Sequence, residues 1–138
     1  MDFNKLCCCL NPRTGIILVA IVQIVFGLIP LIYLVTWNTV VLAILCMASS
    51  KFLFYGIFSN SLTPMRISLS LSVAAVIFHV IGVVISIVVI AGLDKNGPNF
   101  IEIAIKDIIY GIGMLILAVL NTYFSVCIYA FMTLPKSL

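Results

Sequence analysis

Three cysteines, Cys7, Cys8 and Cys9, stand in a row between Lys5 and Arg13, just before a long apolar run. Thiols at the foot of a membrane helix are substrates for S-palmitoylation, which fixes a fatty chain at the lipid surface through a thioester. Zinc is a second reading. Three consecutive residues do not easily turn three sulfurs toward one tetrahedral ion, however, and no other Cys or His lies on that flank. Unmodified thiols in a reducing compartment are the third. Further along, two ionisable residues interrupt otherwise apolar runs: Lys51 and His79. Ionisable groups in such runs are candidates for function by default. Lys51 lies about seven residues, on the order of 10 Å, from the end of its run, and its stem can snorkel most of that way. The alternative turns its ammonium inward to Gln23. His79 and Asn121 fall at similar depth by residue count, and a hydrogen bond between them is expected to contribute about 0.6–2 kcal/mol.

Other chemistry is missing from the chain. The four acids are Asp2, Asp94, Glu102 and Asp107, and none falls inside an apolar run. A proton-coupled exporter or a rotary proton-carrying ring needs a membrane carboxylate to titrate, so both are disfavoured. There is no nucleophile with a base, no cluster of metal ligands and no phosphate-binding loop. Neither an enzyme nor a metal or other cofactor is expected. Seven Lys and Arg scattered over the chain make no phosphate-tracking patch, which sets nucleic acid aside. Extracellular disulfides and Asn-linked glycans are not expected either, because no cysteine falls in the outer connectors and there is no Asn-x-Ser/Thr sequon. Cys46 and Cys127, inside apolar runs, read as packing residues.

The elements that carry these residues follow from composition. Of 138 residues, 64% are hydrophobic and 8% charged, and the mean hydropathy is +1.37. A water-soluble fold of this length would lack the polar side chains to cover its surface. A helix needs about 20 apolar residues to cross a hydrocarbon layer roughly 30 Å thick. Four such runs occupy residues 16–35, 40–58, 67–92 and 108–132, and leave no room for another domain. Each is continuously apolar, without the alternation of barrel strands. The expectation is therefore an all-α integral membrane four-helix bundle, one domain over residues 1–138. Thr36 to Thr39 makes a polar turn, with Trp37 at the interface. Asn99 and Glu102 resemble a capping box, so the fourth helix is expected to start near Asn99 and to enter the hydrocarbon near Ile108. Glu102 and Lys106 are then spaced for an i,i+4 pair. Lys5, Arg13, Lys51, Arg66 and Lys136 fall on the side of the termini and only Lys95 and Lys106 opposite. The positive-inside rule places both termini in the cytosol.

Small residues recur in the third and fourth runs: Ser68 with Ser72, Gly82 with Ser86, and Gly111 with Gly113. Such spacing lets helix backbones approach closely in lipid. It fits a compact bundle in contact with other membrane proteins or with copies of itself.

The opening CCCLNPRTGIILVAI, with Cys7, Cys8, Cys9, Arg13, Thr14 and Gly15, resembles the start of the lysosome-associated transmembrane protein family and its small insect four-span relatives. FLFYGIF, from Phe52 to Phe58, is similar to the Leu-Tyr-Gly stretch that ends the second helix in that group. The resemblance covers about fifteen residues closely and is architectural over the rest. It implies a non-enzymatic four-span protein of plasma-membrane or endolysosomal membranes, with junctional or vesicular roles among the relatives. This chain departs from the lysosomal members in having a four-residue turn instead of a long luminal loop after helix 1. It also has a six-residue tail without proline-tyrosine sorting motifs.

Two functions follow as expectations, and a sorting adaptor is a third. A scaffold that assembles laterally with other membrane proteins leaves Gln23, Lys51, His79 and Asn121 scattered or dry. A small transporter or channel subunit brings those four together on a hydrated route.

Overall fold

The computed structural model describes residues 12–33 and 36–133; Cys7, Cys8 and Cys9 lie outside the described residues. Helix α1 spans Pro12–Tyr33, α2 Trp37–Ser59, α3 Leu62–Ala91 and α4 Phe100–Met132. All four are long and apolar enough to cross a membrane. The chain is all-helical over these residues and has the make-up of a multi-pass membrane protein.

Each boundary has a local cause. Pro12 opens α1, at the position where a missing N–H costs nothing. Helix α2 starts three residues before the apolar run because Thr36 and Thr39 cap it reciprocally. The Thr36 side chain accepts from the Thr39 amide at 3.4 Å, and Thr39 Oγ1 accepts from the Thr36 amide at 2.8 Å. A threonine does here what Glu or Gln does in the usual capping box. Replacing Thr36 with alanine should cost about 1 kcal/mol, read as faster hydrogen exchange at the Thr39 amide with the rest of α2 unaffected. Asn60 ends α2 in the left-handed region, at φ 51°. Helix α3 then begins at Leu62, five residues before its apolar run. Pro64 sits in its first turn, where no intrahelical donor is needed. The expected Asn99–Glu102 capping box is not formed. Asn99 has φ 65° and makes no side-chain cap bond, since its backbone is not in the extended conformation that turns an N-cap side chain back over the helix. Glu102 pairs instead with Lys106 at 3.5 Å.

The helices pack in a ring: α1 on α2, α2 on α3, α3 on α4, and α4 back on α1. Every neighbouring pair is antiparallel, as the contacts Ser50–Ala20, Ser49–Ser68 and Ser72–Asn121 show. The α1–α4 seam is closed by rings, with Phe26 at 5.4 Å from Phe124 and Tyr33 stacked at 6.4 Å on Tyr110. The proximal end holds Arg13, the α2–α3 joint and Met132; the distal end holds Tyr33, Trp37 and the α3–α4 connection. With 30 and 33 residues against 22 and 23, α3 and α4 are the longer pair. Asn38 Nδ2 donates to the Phe78 carbonyl at 3.2 Å near the start of α2, so the rest of α3 stands beyond the α1–α2 turn.

Burial repeats along each helix in steps of four and three. In α1 the inward residues include Ile16, Ala20, Gln23, Gly27 and Pro30; in α2, Leu42, Cys46, Ser49, Leu53 and Gly56; in α3, Ser68, Ser72, Ala75, His79, Gly82 and Ser86. An average step of 3.5 residues is the repeat of helices that coil around one another with a left-handed twist. From Ser68 onward the inward face of α3 carries only serine, alanine and glycine besides His79, while Val73, Ile77, Val84 and Ile87 point outward. In lipid there is no hydrophobic gain in turning Ile or Val inward. Close packing and interhelical hydrogen bonds hold such a bundle together.

Candidate functional site

Two apolar clusters fill the bundle. The proximal one contains Ile16, Leu53, Ile57, Met65 and Ile128, and the distal one Leu42, Cys46, Ala75, Tyr110 and Met114. Between them lies a layer of uncharged polar side chains contributed by all four helices.

Gln23 of α1 is its hub. Its Nε2 donates to Ser72 Oγ of α3 at 3.0 Å and lies 3.4 Å from Asn121 Oδ1 of α4. Its Oε1 is 3.3 Å from the Ser49 hydroxyl of α2. Ser72 Oγ is 3.1 Å from Asn121 Oδ1 and 2.8 Å from Ser125 Oγ. Ser49 and Ser68 lock α2 to α3 reciprocally: Ser49 Oγ reaches the Ser68 carbonyl at 2.9 Å, and Ser68 Oγ donates to the Ser49 carbonyl at 2.7 Å. Ser50 donates to the Ala20 carbonyl of α1 at 2.7 Å. Gln23 and Asn121 are each only 1% exposed. With a three-carbon reach, glutamine on α1 can span the bundle to α3, its diagonal neighbour; serine and asparagine need close backbones.

None of these side chains is ionisable. The serine hydroxyls meet carbonyls, amides and one another, and none has a base to take its proton. The layer can orient, bond and hold register. Among the described residues, His, Cys, Asp and Glu nowhere gather in threes.

No protein-family model, curated protein or solved structure matches the chain.

The four intramembrane polar residues singled out in the sequence therefore part company. Gln23 and Asn121 meet at the centre. Lys51 does not turn inward to Gln23: it is exposed on the outer face of α2. His79 does not reach Asn121. The α3 residue that meets Asn121 is Ser72, seven residues and about 10 Å away along the helix. Residue counting misplaced the pair because α3 and α4 differ in length and in where they begin. His79 is fully buried, and neither ring nitrogen has a hydrogen-bond partner; the same holds for Asn121 Nδ2.

Of the small residues, Ser68 and Ser72 join the polar layer. Gly82 takes the end of Met114, Gly111 takes Ser86, and Ser86 Oγ donates to the Asp107 carbonyl. Gly113 does not pack: a Cβ there would meet nothing within 4 Å. Two positions beyond Gly111 is about 200° around the helix, which turns it off the α3 contact. Gly27 and Gly56, with Ser49, Ser50 and Ser125, also belong to the helix contacts. Their signal in the sequence was their type and spacing, because small and hydroxyl residues fall at the same 3.5-residue steps in every run.

Proposed function

We propose that this protein is a non-enzymatic four-span membrane scaffold or accessory protein, with both termini in the cytosol, that works by lateral assembly with other membrane proteins. The observation that supports this most is the direct bonding of Gln23, Ser49, Ser72, Asn121 and Ser125 to one another. Side chains bonded directly to one another fill the centre of the bundle, and the chemistry left for a partner lies on the outer helix faces. Those faces carry Ile77, Val84, Ile112 and Val119 in an apolar surface. The Cys7–Cys9 edge adds a place for acyl chains, which would bias the bundle toward particular lipid surroundings. The resemblance to small four-span relatives of the lysosome-associated transmembrane proteins points the same way, to junctional or vesicular membranes of the plasma-membrane or endolysosomal system.

Photocrosslinkers placed at Ile77, Val84, Ile112 and Val119 in native membranes provide the test. A scaffold gives discrete protein adducts at a subset of these positions, and the purified chain in liposomes carries no solute flux. Adducts with lipid alone at all four positions would remove lateral assembly. Acyl exchange at Cys7 to Cys9 reads the lipid edge separately.

A small transporter or channel subunit is the second reading. The three buried nitrogens without partners, two on His79 and one on Asn121, favour it. It requires a flux in liposomes that His79→Leu and Asn121→Leu abolish while the helix content stays unchanged.

A further inference from the structure

The outer face of the α2–α3 hairpin carries two cations, Lys51 and Arg66, both exposed. Among the described residues neither has an ion pair or hydrogen bond. They stand close to one height. Ser49 and Ser68 exchange hydrogen bonds across the antiparallel pair; Lys51 lies two residues after Ser49, and Arg66 two before Ser68. All the acids among the described residues, Asp94, Glu102 and Asp107, sit toward the distal end of the bundle, so the described residues of the proximal half offer these cations no counter-charge.

The surface changes character at that same height on both helices. On its distal side the exposed residues of α2 are Val40, Ile44 and Met47, with Trp37 at the far end, and those of α3 begin with Ile67, Ser70 and Val73, apolar but for the one serine. On its proximal side come Tyr55 and Phe58, each 64% exposed, then exposed Ser59, Asn60 and Thr63. An exposed tyrosine followed by exposed small polar side chains suits the headgroup layer better than hydrocarbon. The turn from Phe58 to Thr63 thus has the chemistry of a headgroup layer, within snorkelling reach of the two cations.

We propose that Lys51 and Arg66 bind the phosphates of anionic phospholipids, their long side chains reaching proximally along the α2–α3 hairpin to the headgroup layer. A zwitterionic headgroup brings its own cation to a surface where no described residue offers a carboxylate to receive it, whereas an anionic one leaves its charge free for Lys51 or Arg66. The proposal needs only membrane insertion and is independent of any scaffold role.

The experiment reconstitutes the full chain in phosphatidylcholine vesicles and measures the association of spin-labelled phosphatidylglycerol and spin-labelled phosphatidylcholine with the protein surface. The wild type should prefer the anionic lipid by about fivefold per cation. Lys51→Met with Arg66→Gln should lower the preference severalfold, to what Lys5, Arg13 and Lys136 sustain, and Lys106→Gln at the distal end should leave it unchanged. Because both side chains are exposed, the double variant should keep its helix content. Equal association of the two lipids with the wild type, or an undiminished preference in the double variant, overturns the proposal. So does competition by about 10 mM inorganic phosphate at constant ionic strength, which would assign the cations to a soluble anion.

Discussion

Replacing Gln23 with leucine should destabilise the bundle by about 2–4 kcal/mol, although leucine is the better lipid-soluble side chain. Gln23 bonds partners on all three other helices: Ser49, Ser72 and Asn121. Each interhelical bond in lipid is worth about 0.6 kcal/mol and at most about 1.7. The larger part of the loss comes from what stays behind. Asn121 and the serines remain buried between two apolar clusters with fewer partners, at about 1–3 kcal/mol for an orphaned group. The double replacement Gln23→Leu with Asn121→Leu should therefore cost clearly less than the sum of the two singles, with a coupling of about 1 kcal/mol or more. Unfolding by sodium dodecyl sulfate in mixed micelles, followed by circular dichroism, measures both. A Gln23→Leu protein as stable as the parent would mean that the layer does not hold the helices together.

Valine at Gly27 should open the α1–α2 seam and cost about 1–3 kcal/mol or more. A Cβ at Gly27 would stand 2.6 Å from Cys46 Cβ and 3.4 Å from Ala43 Cα. Neither neighbour is the free end of a flexible side chain, so the overlap is relieved only by moving one helix off the other. At Gly82 the nearest atom is Met114 Cε at 2.5 Å, and an unbranched thioether can swing aside. Alanine at Gly82 should be much milder than alanine at Gly27, and alanine at Gly113, which faces open space, should be silent to within about 0.5 kcal/mol. The order Gly27, Gly82, Gly113 in the same mixed-micelle assay is the check. Cys46→Gly should recover part of the loss in Gly27→Ala, since it removes the atom that the new Cβ meets.

Membrane helices hide their inner faces from hydropathy, and the errors made from sequence follow from that. Helix α3 is apolar nearly all round, so the contrast that marks the core side of a soluble helix is missing. What marks the inside is small size and polarity. Serines and glycines at four-and-three spacing were visible as packing candidates in α3 and α4, and Gly113 was included because type alone does not tell which way a residue faces. The equivalent residues in α1 and α2, Gly27, Ser49, Ser50 and Gly56, are as informative once the 3.5-residue step is applied to every run. Helix ends were misplaced where polar residues continued a helix beyond the hydrocarbon, as Thr36 with Thr39 and the turn around Pro64 do.

Composition and run length alone determined that the chain is helical, how many helices are long enough to span a membrane, and which polar residues those helices carry. All three are properties of single segments, because a helix in lipid must satisfy its own backbone wherever its neighbours are. Which polar residues meet was decided only by tertiary structure. Register between helices depends on their relative lengths, on where each cap falls, and on how closely small residues let two backbones approach. Those distances put Gln23 beside Ser72 and Asn121, leave His79 two turns away, and turn Lys51 outward to the lipid.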